Sequence, residues 1–387
     1  MPRGDPPTGW TDDSAVVHGG GTPEDIARAI DRHDPLPGRT GSPRRGFAAV
    51  FDGPGGTRLV RDVLGRYPLF AERDGSAWAF DRVDLADPVA VPAGHTRRFG
   101  DDIDVDQQVW SLPRRSPERN RGTAVSAVAD AVEAALGPAA GEPGETAVAF
   151  SGGVDSALVA AGLGGPCYVA GFPDSHDIET ARAAAGEMDL DLHVVELGHR
   201  DVERAVPEIA RATGRTNAMD VSIVLPLYLI AERTAADGFD RLAVGQGADE
   251  LFGGYQKVAR APDDHRVDAD TVRGARTETV MSLPDQLERD VLALRAAGVE
   301  PVAPLLDDRV VAAALSLPGD LLVDGDERKV ALRRAARRWL PDALATRDKK
   351  AIQYGSLVSR ELDRLARQAG FKRRLDRHVD RYVESLL

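Results

Sequence analysis

Cysteine is all but missing from this chain: Cys167 stands alone among 387 residues, which excludes a disulfide framework and a thiolate metal cluster. Lysine is nearly as scarce. Five of the 49 basic residues are lysines (Lys257, Lys329, Lys349, Lys350 and Lys372), so each is a better candidate for a place that needs a compact ammonium. Positive charge as a whole is short, with 49 Lys and Arg against 62 Asp and Glu for a net charge of −13. That balance argues against a nucleic-acid groove as the main function but leaves room for a local pocket for phosphates. No apolar run approaches the ~20 residues that span a bilayer, and Met1–Pro7 lacks the apolar core of a signal peptide. The expectation is a cytoplasmic protein with neither a membrane nor a nucleic-acid partner. A hydrophobic content of 42% supports a real core, and the length suits two domains.

Residues 1–45 are rich in Gly, Pro and charge, with one helix-like stretch at 24–32. Short strand-like runs follow at 46–51, 57–61, 69–73 and 76–80, separated by turn clusters such as Asp52-Gly53-Pro54-Gly55-Gly56. They imply antiparallel structure. A polar linker at 113–122 divides a smaller α+β region, 1–112, from a larger one, 123–387. In the larger region strands at 146–150, 167–172, 192–196 and 241–244 alternate with helices at 124–136, from the glycine loop on to 163, at 178–188 and at 225–233, and the chain beyond about 285 reads as wholly helical. Alternation of this kind predicts an α/β fold, a parallel sheet with helices on both faces.

Between the strand at 146–150 and the next helix lies Ser151-Gly152-Gly153-Val154-Asp155-Ser156. The glycines permit positive φ and close backbone approach. The Ser151 and Ser156 hydroxyls, with the free N–H groups of the first helical turn, can hold an anion. Asp155 is unfavourable beside bare phosphate, so a bridging Mg²⁺ is implied. No Gly-Lys-Ser/Thr follows, which separates this loop from the P-loop of kinases and GTPases. It resembles the pyrophosphate loop of the ATP pyrophosphatase superfamily, whose members split ATP between the α and β phosphates.

A second motif, Val244-Gly245-Gln246-Gly247-Ala248-Asp249-Glu250-Leu251-Phe252-Gly253-Gly254-Tyr255, follows its own strand. Asp249 and Glu250 place carboxylates at the C-terminal sheet edge, where α/β proteins bind ligands. Together the two motifs resemble the synthetase domain of asparagine synthetases, whose relatives include β-lactam and carbapenam synthetases. The likeness continues through Ser222, Pro226 and Tyr228, through 298–307, and through Lys329–Arg334 to Arg347-Asp348-Lys349. What it implies is an AMP-forming carbon–nitrogen ligase in amino-acid biosynthesis. It would have ATP as co-substrate, Mg²⁺ on Asp155 and Asp249, an essential lysine at Lys349, and Lys329 as a further phosphate-binding cation. Adenine in that family is gripped by backbone, at positions matching Ala149, Ala170 and Gly245. L-Aspartate is the first carboxylate candidate, with ammonia or another amine as acceptor.

The chain departs from the family at Gln246, where asparagine synthetases carry a Glu thought to take a proton from the attacking amine. Gln cannot act as a base near neutral pH. Three readings stay open: ammonia arrives neutral and needs only orientation, Glu250 takes over, or the nucleophile differs. The last would make the protein an amide- or lactam-forming synthetase on another carboxylate, and a non-catalytic ATP-binding relative is the remaining alternative. tRNA modification by the wider superfamily is opposed by the acidic charge and the absent Cys pair.

At the N-terminus, Gly46–Asp52, Arg61–Phe70 and Val91–His95 resemble the back half of the family's glutaminase domain. That domain's nucleophile is a cysteine directly after Met1, where this sequence has Pro2. The expectation is a degenerate domain without glutaminase activity, packed as a remnant on the synthetase domain. A separate glutaminase chain and a homo-oligomer are both left open. Cys167 is expected as a small core residue, and His176 and Asp177 as loop residues near the nucleotide.

Overall fold

A computed structural model of the chain describes residues 15–42, 45–53, 56–99, 106–137, 145–261, 271–347, 356–374 and 376–387. They form two compact units, one of Met1–Ala124, Asp249–Glu288 and Leu306–Arg328, the other of Val125–Ala248, Arg289–Leu305 and Lys329–Leu387.

In the first unit β1 (Val16–Gly19), β2 (Phe47–Phe51), β3 (Thr57–Arg61), β7 (His95–Phe99) and β8 (Gln107–Gln108) pair in that order, all antiparallel. A three-stranded sheet takes β4 (Phe70–Glu72) between β5 (Trp78–Ala79) and β6 (Pro88–Ala90). Period-2 alternation along β2 sets the layering. Phe47, Ala49 and Phe51 pack with Ile26 and Ile30 of α1 (Pro23–Asp31), whereas Ala48 and Val50 turn to Leu69, Ala71 and Phe80. Thr22 and Asp25 close a capping box that starts α1.

Arg61 and Asp62, part of the motif 61–70, serve this architecture. The Arg61 guanidinium donates to the carbonyls of Tyr67, Val91 and Gly65, and the Asp62 carboxylate accepts from the N–H groups of Phe47, Leu64 and Arg66. Late segments join the unit through buried polar links. Arg66 pairs with Asp308 at 2.6 Å, and Gly38 N–H donates to the same carboxylate at 2.8 Å. A pair that breaks here leaves an unmatched buried charge.

The helix α2 (Arg121–Leu136) leads into the second unit. That unit carries a five-stranded sheet in the order β11 (Leu192–Glu196), β10 (Cys167–Gly171), β9 (Ala147–Ala149), β12 (Arg241–Ala243), β13 (Glu300–Val302), parallel throughout. Ala147, Ala149, Tyr168, Ala170, Leu242 and Val244 face a core built with α5 (His199–Thr213) and α6 (Ala218–Ala236). The alternate residues Val148, Val169 and Ala243 are equally buried, so both faces are covered. The helices α3 (Val154–Leu163) and α4 (His176–Met188) pack on β9 and β10. The chain is thus of the α/β class, with antiparallel sheets in its N-terminal region.

Two expectations are corrected. The chain beyond 285 is not wholly helical: β13 adds a parallel edge strand to β12, and β14 (Val323–Asp324) forms a hairpin with β15 (Glu327–Arg328). A three-residue strand carrying Pro301 has no periodicity of its own, and an edge is where a strand proline is tolerated. His176 and Asp177 are not loop residues. They form the first turn of α4 behind its N-cap Ser175, and Asp177 is buried. Cys167 is buried on β10 as expected.

Candidate active site

The middle strands of the parallel sheet deliver three loops to its C-terminal edge. Ser151–Gly153 follows β9, Phe172–Ser175 follows β10, and Val244–Gly247 follows β12. The first turns sharply. Gly152 has φ +73°, and a Cβ there would lie 2.6 Å from the Thr180 carbonyl oxygen in α4, so only glycine lets the loop lie this close to the helix. Gly153 caps α3 and offers no side chain. The N-cap therefore supplies no side-chain hydrogen bond to the first helical turn, which lies at the positive end of the helix dipole.

Hydroxyls tie the loop together. Ser156 Oγ donates to the Gly153 carbonyl at 3.1 Å, accepts from Ser151 N–H at 3.1 Å, and lies 3.1 Å from Ser151 Oγ. Asp155 stands beside them and accepts from Lys329 Nζ at 2.6 Å. Lys329 is 8% exposed and adopts φ +57° at the N-cap of the helix Val330–Ala336. A left-handed, buried, ion-paired lysine costs conformational and desolvation energy, and such residues cluster at functional sites. Its contact with Asp155 explains why this lysine is buried, and it places a fixed cation beside the glycine loop. The carboxylate of Asp155, in the first turn of α3, also suits a divalent cation shared with phosphate oxygens.

The second motif presses against the first. A Cβ at Gly245 would fall 3.0 Å from Asp155 Cβ and 3.2 Å from Ser156 N. Ala149 and Ala170, the other positions matched to adenine contacts, lie at the C-terminal ends of adjacent strands paired at Tyr168 and Ala149. Ser151, Gly152, Gly153, Asp155, Ser156, Gly245 and Lys329 are thus brought together.

Gln246, next along the chain, points its Nε2 at Asp290 on the helix Leu283–Ala296, which is its only side-chain hydrogen bond among the described residues. Asp290 in turn accepts from Arg289 Nε at 2.7 Å, and Arg289 Nη1 reaches Asp220 at 2.7 Å. Asn217 and Arg215 complete the row on Asp220 at 2.7 and 3.2 Å. Burial works to raise the Asp220 carboxyl, but hydrogen bonds from Asn217 and Arg289 outweigh it and hold it below its ordinary value. Burial likewise opposes the Arg289 charge, and Asp290 with Asp220 reverses the sign. No reading of the sequence singles out Asp290 or Arg289. They stand 44 and 43 residues beyond Gln246, with no motif around them.

Asp249 and Glu250 belong to the helix Ala248–Phe252. Glu250 is buried and accepts a short hydrogen bond from Tyr255 Oη. Ser222 donates to its own helix at Met219 O, and Tyr228 donates to Glu208 of α5, so both serve the packing of α6. Lys349 lies outside the described residues. Among the described residues no group of three or more His, Cys, Asp or Glu gathers as a metal cluster, and no helix is long and apolar enough to cross a membrane.

The chain is similar to known proteins. A family model described as Asparagine synthase matches residues 127–282 and 262–383, more than half of the chain. A protein from Methanocaldococcus jannaschii described as putative asparagine synthetase [glutamine-hydrolyzing] 1 is 30% identical over 267 residues, covering 59% of this chain and 49% of its own length. Asparagine synthetase B [glutamine-hydrolyzing] of Escherichia coli is 28% identical over 193 residues, 49% of this chain and 34% of that protein. A probable asparagine synthetase [glutamine-hydrolyzing] from Dictyostelium discoideum is 23% identical over 342 residues, 76% of this chain and 60% of that protein. The chain therefore spans about half the length, more or less, of the curated relatives it matches.

Proposed function

The chain belongs to the asparagine synthase family, and from that premise we propose that it uses ATP to adenylate a carboxylate and passes the acyl group to an amine, releasing AMP. The observation that carries this reading is the Ser151–Ser156 loop, with its uncapped helix start, Lys329 on Asp155, and Gly245 packed against both.

The first-turn N–H groups of α3 and the Ser151 and Ser156 hydroxyls take the phosphate oxygens of ATP, with adenine against the backbone at Ala149, Ala170 and Gly245. A carboxylate oxygen of the substrate attacks the α-phosphorus. The acyl-oxygen to phosphorus bond forms, and pyrophosphate leaves with the electron pair of the bond that breaks. Negative charge builds on both phosphoryl groups at that moment. Lys329 is already fixed beside the loop, so no reorganisation is needed to meet it. Lys349 keeps the catalytic role that its motif assigns. Asp155, and from its motif alone Asp249, would hold Mg²⁺, which supplies the charge that lets a carboxylate stand next to polyphosphate. In the second step the amine attacks the acyl carbon, the carbon–nitrogen bond forms, and AMP departs with the electrons of the broken carbon–oxygen bond.

L-Aspartate and ammonia are the first pair to test. Glutamine hydrolysis is not expected of this chain, because Cys167, its one cysteine, is buried and burial pushes its thiol up to about 12. A second reading, a lactam- or secondary-amide-forming synthetase on a different acid, is favoured by one observation: Gln246 provides no base for ammonium. Incubation of the protein with ATP, Mg²⁺, ammonium and a panel of amino acids, followed by nucleotide analysis, decides the matter. AMP and pyrophosphate in step with one carboxylate support the proposal, and ADP with phosphate refutes it.

A further inference from the structure

We propose that Asp290 fixes the side-chain amide of Gln246 so that its carbonyl faces the incoming amine, making this pair an orienting device for a neutral nucleophile. The inference deepens the reaction proposed above and rests on it.

A carboxylate only accepts hydrogen bonds, and Asp290 is itself held by Arg289 at 2.7 Å, which is anchored on Asp220 at 2.7 Å. The Gln246 atom that meets Asp290 must therefore be Nε2, as the structure has it. Oε1 is then left as the group Gln246 offers elsewhere, and an amide oxygen is a fixed acceptor with no basicity at neutral pH. Asp290 and Arg289 are each 4% exposed, so the amide cannot turn over without leaving a buried charge short of a partner. Gln246 directly follows Gly245, whose backbone lies against Asp155 and Ser156 of the phosphate loop. An acceptor at this point can align one N–H of ammonia or an amine toward the acyl carbon, but it cannot remove the proton of an ammonium ion. The nucleophile enters as the free base. Its surplus proton, acquired as formal charge when the carbon–nitrogen bond forms, passes to water as AMP leaves. Asp290 touches no reacting atom and is a positioning residue.

The pair can be inverted. In Gln246→Glu two carboxylates meet and share a proton. In the double variant Gln246→Glu/Asp290→Asn an amide again faces a carboxylate, and the introduced amide oxygen is able to accept from Arg289, but the carboxylate now stands at position 246. With aspartate, ATP and ammonium chloride, kcat/KM for total ammonium in the unaltered protein is expected to rise about tenfold per pH unit below the ammonium pKa, because only free base reacts. The double variant is expected to flatten this profile, Gln246→Glu alone to lose most of the amine step, and Asp290→Asn to raise KM for ammonium more than it lowers kcat. Pyrophosphate exchange, measured on every variant without amine, reports the first step separately. A flat profile in the unaltered protein, or a double variant no better than Gln246→Glu while exchange proceeds, overturns the orienting role and leaves the adenylation intact. Absence of exchange in the unaltered protein with every acid offered refutes the reaction, and this inference falls with it.

Discussion

Replacing Gly152 by alanine separates a close backbone approach from mere conformational preference. Two glycines flank α3: Gly152 at φ +73° before it and Gly164 at φ +66° as its C-cap. An alanine at either must hold a left-handed conformation, at a cost of about 1 kcal/mol, and each gains the same reduction in unfolded-state freedom. The surroundings differ. Around Gly164 a Cβ meets nothing within 4 Å, whereas at Gly152 it meets the Thr180 carbonyl oxygen at 2.6 Å, its carbon at 2.9 Å and Ala184 Cβ at 3.1 Å. The Thr180 carbonyl is helix backbone and cannot swing aside, so the loop has to lift. Overpacking of that kind costs roughly 1–3 kcal/mol. Unfolding free energies from urea denaturation should therefore fall by about 1 kcal/mol in Gly164→Ala and by about 2–4 kcal/mol in Gly152→Ala. Because lifting the loop moves the first-turn N–H groups of α3, Gly152→Ala should also lose carboxylate-dependent pyrophosphate exchange while Gly164→Ala keeps it. Equal losses of stability in the two variants would show that the loop does not rest on α4 as described.

Three further outcomes follow from single residues. Lys329→Met keeps most of the buried stem and removes the ammonium from Asp155; loss of one fixed cation at a phosphoryl site is expected to slow exchange by about two orders of magnitude, and undiminished exchange would remove Lys329 from the reaction. Cys167, with its thiol pushed up to about 12 on a buried strand, should resist a disulfide reagent in the native protein at pH 8 and react fully in urea; rapid native labelling would contradict its placement. The Asp363 carboxyl is held well below its usual 3.8 by the hydrogen bond from Arg373 first, against the opposition of burial, and then by His378. A depressed folded-state value means that its contribution is present above pH 3.8 and is lost as pH falls through the folded value. Asp363→Asn should thus lower Tm near neutral pH, with the gap to the parent closing in acid; a gap that stays constant would exclude the linkage.

The local parts of the site are legible in the residues. Ser151–Ser156 announces a strand-to-helix turn, and α3 begins at Val154, directly after its second glycine. Antiparallel strands in the N-terminal region and parallel ones beyond follow from turn chemistry and alternation. What stays illegible depends on distant partners. Lysine scarcity marks Lys329 but not its bond to Asp155, 174 residues away. Gln246 stands out as a departure, yet its hydrogen bond to Asp290 comes only from the approach of the helix Leu283–Ala296 to the turn after β12. The strand β13 has three residues and exists through its pairing with β12. α6 starts at Ala218 and runs through Pro226, because tertiary packing of Val221, Val224 and Leu225 into the core overrides the interior proline. Nor does composition show that Asp249–Glu288 and Leu306–Arg328 fold with the first 124 residues.

The central claim is that Asp155 and its glycine loop activate the α-phosphorus of ATP. Exchange of labelled pyrophosphate into ATP, with a carboxylate present and amine absent, tests it most directly. Exchange in the parent protein is expected to depend on the carboxylate and to fall by at least about a hundredfold in Asp155→Asn. Exchange that survives Asp155→Asn at the parent rate would contradict it.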